Sequence, residues 1–197
     1  MHRHSSLLPH EVLFGVFLLA TWIRLVWAQG PFGPDALLYA GLLAADAWLI
    51  ARCRLSPTRV AWRLRMLFHP VAMNVVFPHM PRVVEACQGK LVDGPLSVVD
   101  RAVFGVDPSV WAQRLVHPAL TEVMSLCYLF FFGYLLFSVV SSLSGNLAVL
   151  KRFFAGLFTV YAIGFLGYSF LPAQGPHLAF HDAYDVPLIG GWFTRAN

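Results

Sequence analysis

The sequence predicts an all-α fold: a polytopic membrane helical bundle of about five transmembrane helices with short interfacial helices between them. Three observations carry this reading. Val123 to Leu150 holds no charged residue, and a second charge-free run, Phe153 to His181, follows the basic pair Lys151-Arg152. The hydrocarbon core of a bilayer is ~30 Å thick and takes about 20 mostly apolar residues per helix, so both runs are long enough to cross it. The third is composition: 58% of the 197 residues are hydrophobic and 12% charged. That is about half the charged share of a soluble domain. With a mean hydropathy of +0.65, the chain reads as one integral membrane domain, residues 1–197, with no separate soluble domain.

The first span covers about 11–28. A basic head, His2-Arg3-His4, precedes an apolar core from Val12 to Ile23. Val26-x-Ala28 also fits a signal-peptidase site, but Arg24 and Trp27 fit a snorkelling, aromatic-belt helix end better. Gly30-Pro31-Phe32-Gly33-Pro34 makes a tight turn, and Asp35 is a helix cap for the second span, about 36–51. Ala40, Gly41, Ala44 and Ala45 give that helix a small-residue face for close packing. Asp46 lies inside it. Arg24 is its nearest candidate partner but sits about 10 Å nearer the outer surface by helical rise. Contact with the inner water boundary or with a neighbouring helix is favoured instead.

Arg52, Arg54, Arg59, Arg63 and Arg65 form the strongest basic cluster, ahead of a third span at about 60–80. Pro70 and Pro78 interrupt its hydrogen bonding, and His69, Asn74 and His79 are placed to satisfy groups that the prolines free. Residues 81–118 are a polar excursion. Leu96, Val99 and Val103 repeat at helical spacing before Gly105, as in a short helix lying in the interface. Asp107-Pro108 then reads as cap plus first helical residue, with Trp111 and Leu115 on one face. His117-Pro118 ends this element. The fourth span is about 119–143, Ser144-Gly145-Asn146 turns the chain, and the fifth is about 153–171, with Gly156, Gly164 and Gly167 on one face. Residues 172–197 form the tail.

Arg3, the five clustered arginines and Lys151-Arg152 put eight basic residues on one side. The basic residues of the other side are diluted by Glu85, Asp93, Asp100, Asp107, Glu122, Asp182 and Asp185. The positive-inside rule therefore predicts a cytoplasmic amino terminus, with the excursion and the tail outside. The location implied is a bacterial inner membrane or a plasma membrane. The arginines lie beside apolar spans rather than among stacking aromatics, which argues against a nucleic-acid partner. Cys53, Cys87 and Cys127 are odd in number and lack Cys-x-x-Cys spacing, which points away from a disulfide framework or a zinc site.

No Walker loop, Gly-x-Ser-x-Gly elbow or His-Glu-x-x-His motif occurs. His181 and Asp185 are four apart, as an oriented acid/base pair can be. Val186-Pro187 and Gly190-Gly191 follow at once, so these read as ordinary polar loop residues.

The segment Leu171-Pro172-Ala173-Gln174-Gly175-Pro176-His177, followed by Tyr184-Asp185-Val186-Pro187-Leu188 and Gly190-Gly191, resembles the type 2 phosphatidic acid phosphatase superfamily. Its nearest branch is the one resembling inositol phosphorylceramide synthase, an inositolphosphotransferase. Leu96 to Pro108 and His117-Pro118-Ala119-Leu120-Thr121-Glu122 resemble that branch as well, so the likeness covers roughly residues 60 to 197. It implies a six-helix membrane fold with an extracytoplasmic site that hydrolyses or transfers lipid phosphate without metal or other cofactor. One His attacks phosphorus, a second protonates the leaving group, an Asp orients a His, and basic side chains hold the phosphate oxygens.

Carried onto this chain, the resemblance places the elbow Gly175, Pro176 and His177 as the substrate-binding residues, with a lipid phosphate or phosphorylated headgroup as partner. No catalytic residue is carried over. The family's Pro-Ser-x-His and its later His-x-x-x-Asp within the last helices are not placed here, and Asn197 falls where the first would be approaching. His177 also stands where the family often has Arg, and offers phosphate fewer donors. The expectation is an incomplete scaffold, inactive as given. The alternative is a non-catalytic membrane protein that binds lipid or a partner; neither the specific lipid nor the oligomeric state is indicated.

Overall fold

A computed structural model describes residues 7–87, 90–187 and 189–196. The head His2-Arg3-His4, Leu188 and Asn197 lie outside the described residues, as does the side chain of Arg195. Every regular element described is helical. In chain order they are α1 (Pro9–Gln29), α2 (Pro34–Leu55), α3 (Arg59–Val76), α4 (Met80–Ala86), α5 (Asp93–Phe104), α6 (Pro108–Trp111), α7 (Pro118–Ser144), α8 (Leu147–Phe170), α9 (Pro176–Ala179) and α10 (Trp192–Ala196). Single 3₁₀ turns cover Phe77–His79, Ala112–Leu115 and His181–Ala183.

Among the described helices α1, α2, α7 and α8 are long and apolar enough to cross a membrane. The chain is thus an all-α, membrane-associated protein. The third expected span is a helix too, but α3 has only 18 residues and carries Arg59, Arg63 and Arg65. It is continued by the 3₁₀ turn Phe77–His79 and then α4 rather than by one unbroken α-helix. Pro78 lies in the break while α3 continues through Pro70, and the nearby polar groups bond carbonyls one turn back. His69 Nδ1 lies 3.2 Å from Arg65 O, Asn74 Nδ2 donates to Pro70 O at 2.8 Å, and His79 Nδ1 lies 2.9 Å from Val75 O.

Contacts among the described residues group into two compact units, Met1–Lys90 with Ser142–Pro172, and Leu91–Ser141 with Ala173–Asn197. In the first, α1 packs against α2, α4 and α8, and α3 against α2 and α8. Its core is aromatic. Phe14, Phe17 and Phe165 meet with ring centroids 5.3–5.9 Å apart, and Tyr39 closes on Phe17 at 6.0 Å. In lipid this association rests on close van der Waals packing, since tails are as apolar as the side chains they replace.

The small-residue faces do not supply that packing. Gly41 and Ala44 are exposed, and a Cβ added at Gly41, Gly156, Gly164 or Gly167 would meet nothing within 4 Å among the described residues. α2 buries Asp35, Ala36, Tyr39, Asp46 and Cys53 instead. Asp35 is not the cap either: Gly33 is, Pro34 takes the first helical position, and Asp35 is buried in the first turn, 3.5 Å from Arg82 Nη2.

In the second unit, α5 ends on Gly105 at φ 74°, a left-handed position that costs a residue with a Cβ more than glycine. α6 begins at Pro108 after Asp107, as the sequence predicts, yet the Asp107 carboxylate does not cap it. It accepts from Ser97 Oγ and from Arg101 Nε, both at 2.6 Å. None of the most apolar 18-residue window of α7 is buried among the described residues.

Candidate functional site

The elbow predicted from sequence lies in the second unit and is fixed there by a carboxylate of α5. Asp93, at the start of α5, spans it: Gly175 N donates to Oδ1 at 3.0 Å and Gln174 N to Oδ2 at 3.2 Å. Gly175 takes φ 91°, which glycine adopts without a Cβ clash, and Pro176 opens α9 directly after it. His177 is exposed. Its ring stands edge-on to Tyr184 at 5.2 Å and 6.1 Å from His181. Gly175, Pro176 and His177 are thus one local turn that presents an imidazole beside a second imidazole and a phenol.

His181 and Asp185 do not pair. No hydrogen bond or ion pair joins them among the described residues, and His181 Nδ1 instead lies 3.8 Å from Asp182 Oδ1. Asp185 is held through its backbone. Gln113 Oε1 accepts from the amides of Asp185 and Val186 at 2.8 and 3.2 Å, while Gln113 Nε2 donates to Ala183 O at 2.8 Å. Glu122 holds the last segment, accepting from the amides of Gly191, Phe193 and Thr194 and from Thr194 Oγ1 at 2.7–3.2 Å. A Cβ on Gly191 would sit 3.1 Å from Glu122 Oε1, so the carboxyl would have to give by a few tenths of an ångström. Asp93, Gln113 and Glu122 escape sequence reasoning, because each is a lone polar residue whose partners lie about seventy or more positions away.

A second polar centre lies in the first unit and is also missed by sequence. Arg65 is the last member of the basic cluster in the sequence, yet it is 1% exposed. It forks onto Glu11, Nε to Oε1 at 2.5 Å and Nη2 to Oε2 at 2.6 Å, while Glu11 Oε2 also accepts from Leu8 N at 2.7 Å. This is the strong, bidentate geometry of a guanidinium–carboxylate pair. Trp62 is faced by Arg65 and Lys151, 4.5 and 3.1 Å from its ring centroid. His10, Asp46 and His69 are buried beside the pair. Asp46 Oδ1 faces His69 Nε2 at 3.7 Å rather than Arg24. Arg24 donates to Ser169 O at 2.6 Å and Ser169 Oγ at 3.1 Å, close to the carboxyl end of α8.

Outside the spans two groups are shifted by their surroundings. Hydrogen bonds from Ser97 and then Arg101 hold the Asp107 carboxyl below the usual carboxylate range, and burial pushes the Cys87 thiol up. Cys53, Cys87 and Cys127 are all free. Among the described residues no three His, Cys, Asp or Glu side chains converge as a metal-ion site. No protein-family model, curated protein or solved structure matches this chain.

Proposed function

We propose that this protein is a membrane scaffold of the lipid phosphatase or phosphotransferase kind, inositolphosphotransferase-like, that receives a phosphorylated lipid headgroup at the extracytoplasmic elbow. The observation that supports it best is the preorganised turn. Asp93 clamps Gln174 and Gly175, and His177 is presented with His181 and Tyr184 around it. Such a turn offers side-chain donors at the water boundary, where a headgroup phosphate would lie. The Pro-Ser-x-His nucleophile motif does not occur in the 197 residues, so these residues bind without transferring phosphate.

One observation favours a second reading, a non-catalytic lipid- or partner-binding protein. The two elbow amides that a phosphate would draw on already serve Asp93. The test is binding of the purified chain in detergent to vesicles of phosphatidylcholine with and without phosphatidic acid, together with a phosphate-release assay. The proposal expects several-fold stronger retention on phosphatidic acid, lost in His177→Ala, and no phosphate release. Equal retention on both vesicles supports the second reading. Phosphate release that survives His177→Ala overturns the first.

A further inference from the structure

We propose that Asp46 and His69 share one bound proton, so that the first unit carries a proton-binding site within its helices, independent of the elbow. The argument starts at the far side of the imidazole. His69 Nδ1 lies 3.2 Å from Arg65 O, and a carbonyl only accepts, so Nδ1 carries hydrogen. In a neutral ring Nε2 is then a bare lone pair. That lone pair faces Asp46 Oδ1 at 3.7 Å. An ionised carboxylate is also acceptor-only. Both atoms are buried and have no hydrogen-bond partner among the described residues.

Two acceptors facing each other away from water carry a desolvation cost with nothing to offset it. One added proton removes the conflict, either as a carboxylic acid donating to Nε2 or as an imidazolium donating to the carboxylate. Each form holds one proton more than an ionised Asp46 beside a neutral His69. A small rotation of the Asp46 side chain brings 3.7 Å to hydrogen-bond length.

The surroundings fit a proton rather than a larger ligand. Glu11 and Arg65 neutralise each other through two hydrogen bonds, so the nearest full charges do not dictate the state of Asp46. From α1, the His10 ring stands edge-on to His69 at 4.6 Å, with both its nitrogens buried and unpartnered among the described residues. From α2, buried Cys53 lies beside Arg65, and from α8, Lys151 is turned onto Trp62. The His69 side chain is sealed at 0% exposure while that of Asp46 retains 9%, so the carboxyl is the more open of the two groups. Intramembrane ionisable groups are costly to keep and commonly mark proton or ion paths. His10 is the next group such a proton would reach.

The test uses the full chain in phosphatidylcholine nanodiscs, with infrared spectroscopy for the carboxyl and ¹⁵N NMR for the imidazoles. The expected result is His69 protonated at Nδ1 with either a protonated Asp46 carboxyl or an imidazolium at His69. A one-proton uptake step per chain should vanish in both Asp46→Asn and His69→Gln. A neutral His69 beside an ionised Asp46 in the unsubstituted chain overturns the proposal, as does uptake unchanged by Asp46→Asn. The unsubstituted spectra decide the matter if either variant fails to fold.

Discussion

Arg65 gives two of its donors to the carboxylate of Glu11, fifty-four residues earlier, and the side chains keep 1% and 0% of their exposure. This pair joins α1 to α3 at the end of the bundle where the amino terminus of α1 lies. Glu11 also satisfies the amide of Leu8, one of the donors a helix start leaves without a partner. Breaking a buried pair from one side strands the other charge, at about 3–5 kcal/mol. Arg65→Met or Glu11→Leu alone should therefore lower the thermal stability of the chain in detergent sharply. The double variant should lose clearly less than the sum, because no charge is left stranded. Additive losses in that cycle would mean that the two residues do not act as a pair.

The fourth and fifth spans are legible because charge-free length is a local property of the chain. The fourth, read as 119–143, forms Pro118–Ser144. The Asp107-Pro108 helix start is legible for the same reason, since proline at the first position needs only its neighbours. The use of the Asp107 carboxylate is not, because Ser97 and Arg101 outcompete the cap from another helix. The burial of Arg65 is not legible, because its partner depends on how α1 and α3 meet. A stripe of small residues such as Ala40 to Ala45 states what a helix allows near it, not what arrives. At the elbow, Gly175, Pro176 and His177 stand out by composition, while Asp93, which fixes them, carries no local signal.

Arg24 should matter more than its apparent place at a helix end suggests. It donates to the carbonyl of Ser169 in the last turn of α8, where the helix dipole favours a cation. A hydrogen bond from a charged donor contributes about 1.5–3 kcal/mol. Arg24→Leu should cost that order of stability in detergent. Ser169→Ala keeps the carbonyl bond and should cost about 1 kcal/mol or less. Equal losses would show that the hydroxyl, not the carbonyl, holds Arg24.

Asp93→Ala should free the elbow while leaving its helices formed. Both Gln174 and Gly175 amides lose their acceptor. With about 1 kcal/mol per bond removed, hydrogen exchange at these two amides should speed up by about five-fold or more. Exchange at Gly191 and Phe193, held by Glu122, should stay unchanged and serves as the internal control. Unchanged exchange at Gln174 and Gly175 would remove Asp93 from its role.

Asp107 offers the test by pH. Its carboxyl is held below the usual range, first by the Ser97 hydroxyl and then by Arg101. A carboxyl depressed in the folded state stabilises the α5–α6 junction at pH above its unfolded value. That contribution falls as pH drops through the lowered folded value, where the protonated group no longer attracts Arg101. Following the Asp107 carboxyl carbon by NMR during acidification should place its titration below that of an unstructured peptide. Ser97→Ala and Arg101→Gln should each raise the titration, the first by removing one hydrogen bond and the second by removing a hydrogen bond and an opposite charge. A larger rise in Arg101→Gln would make the junction an ion pair first and a hydrogen bond second.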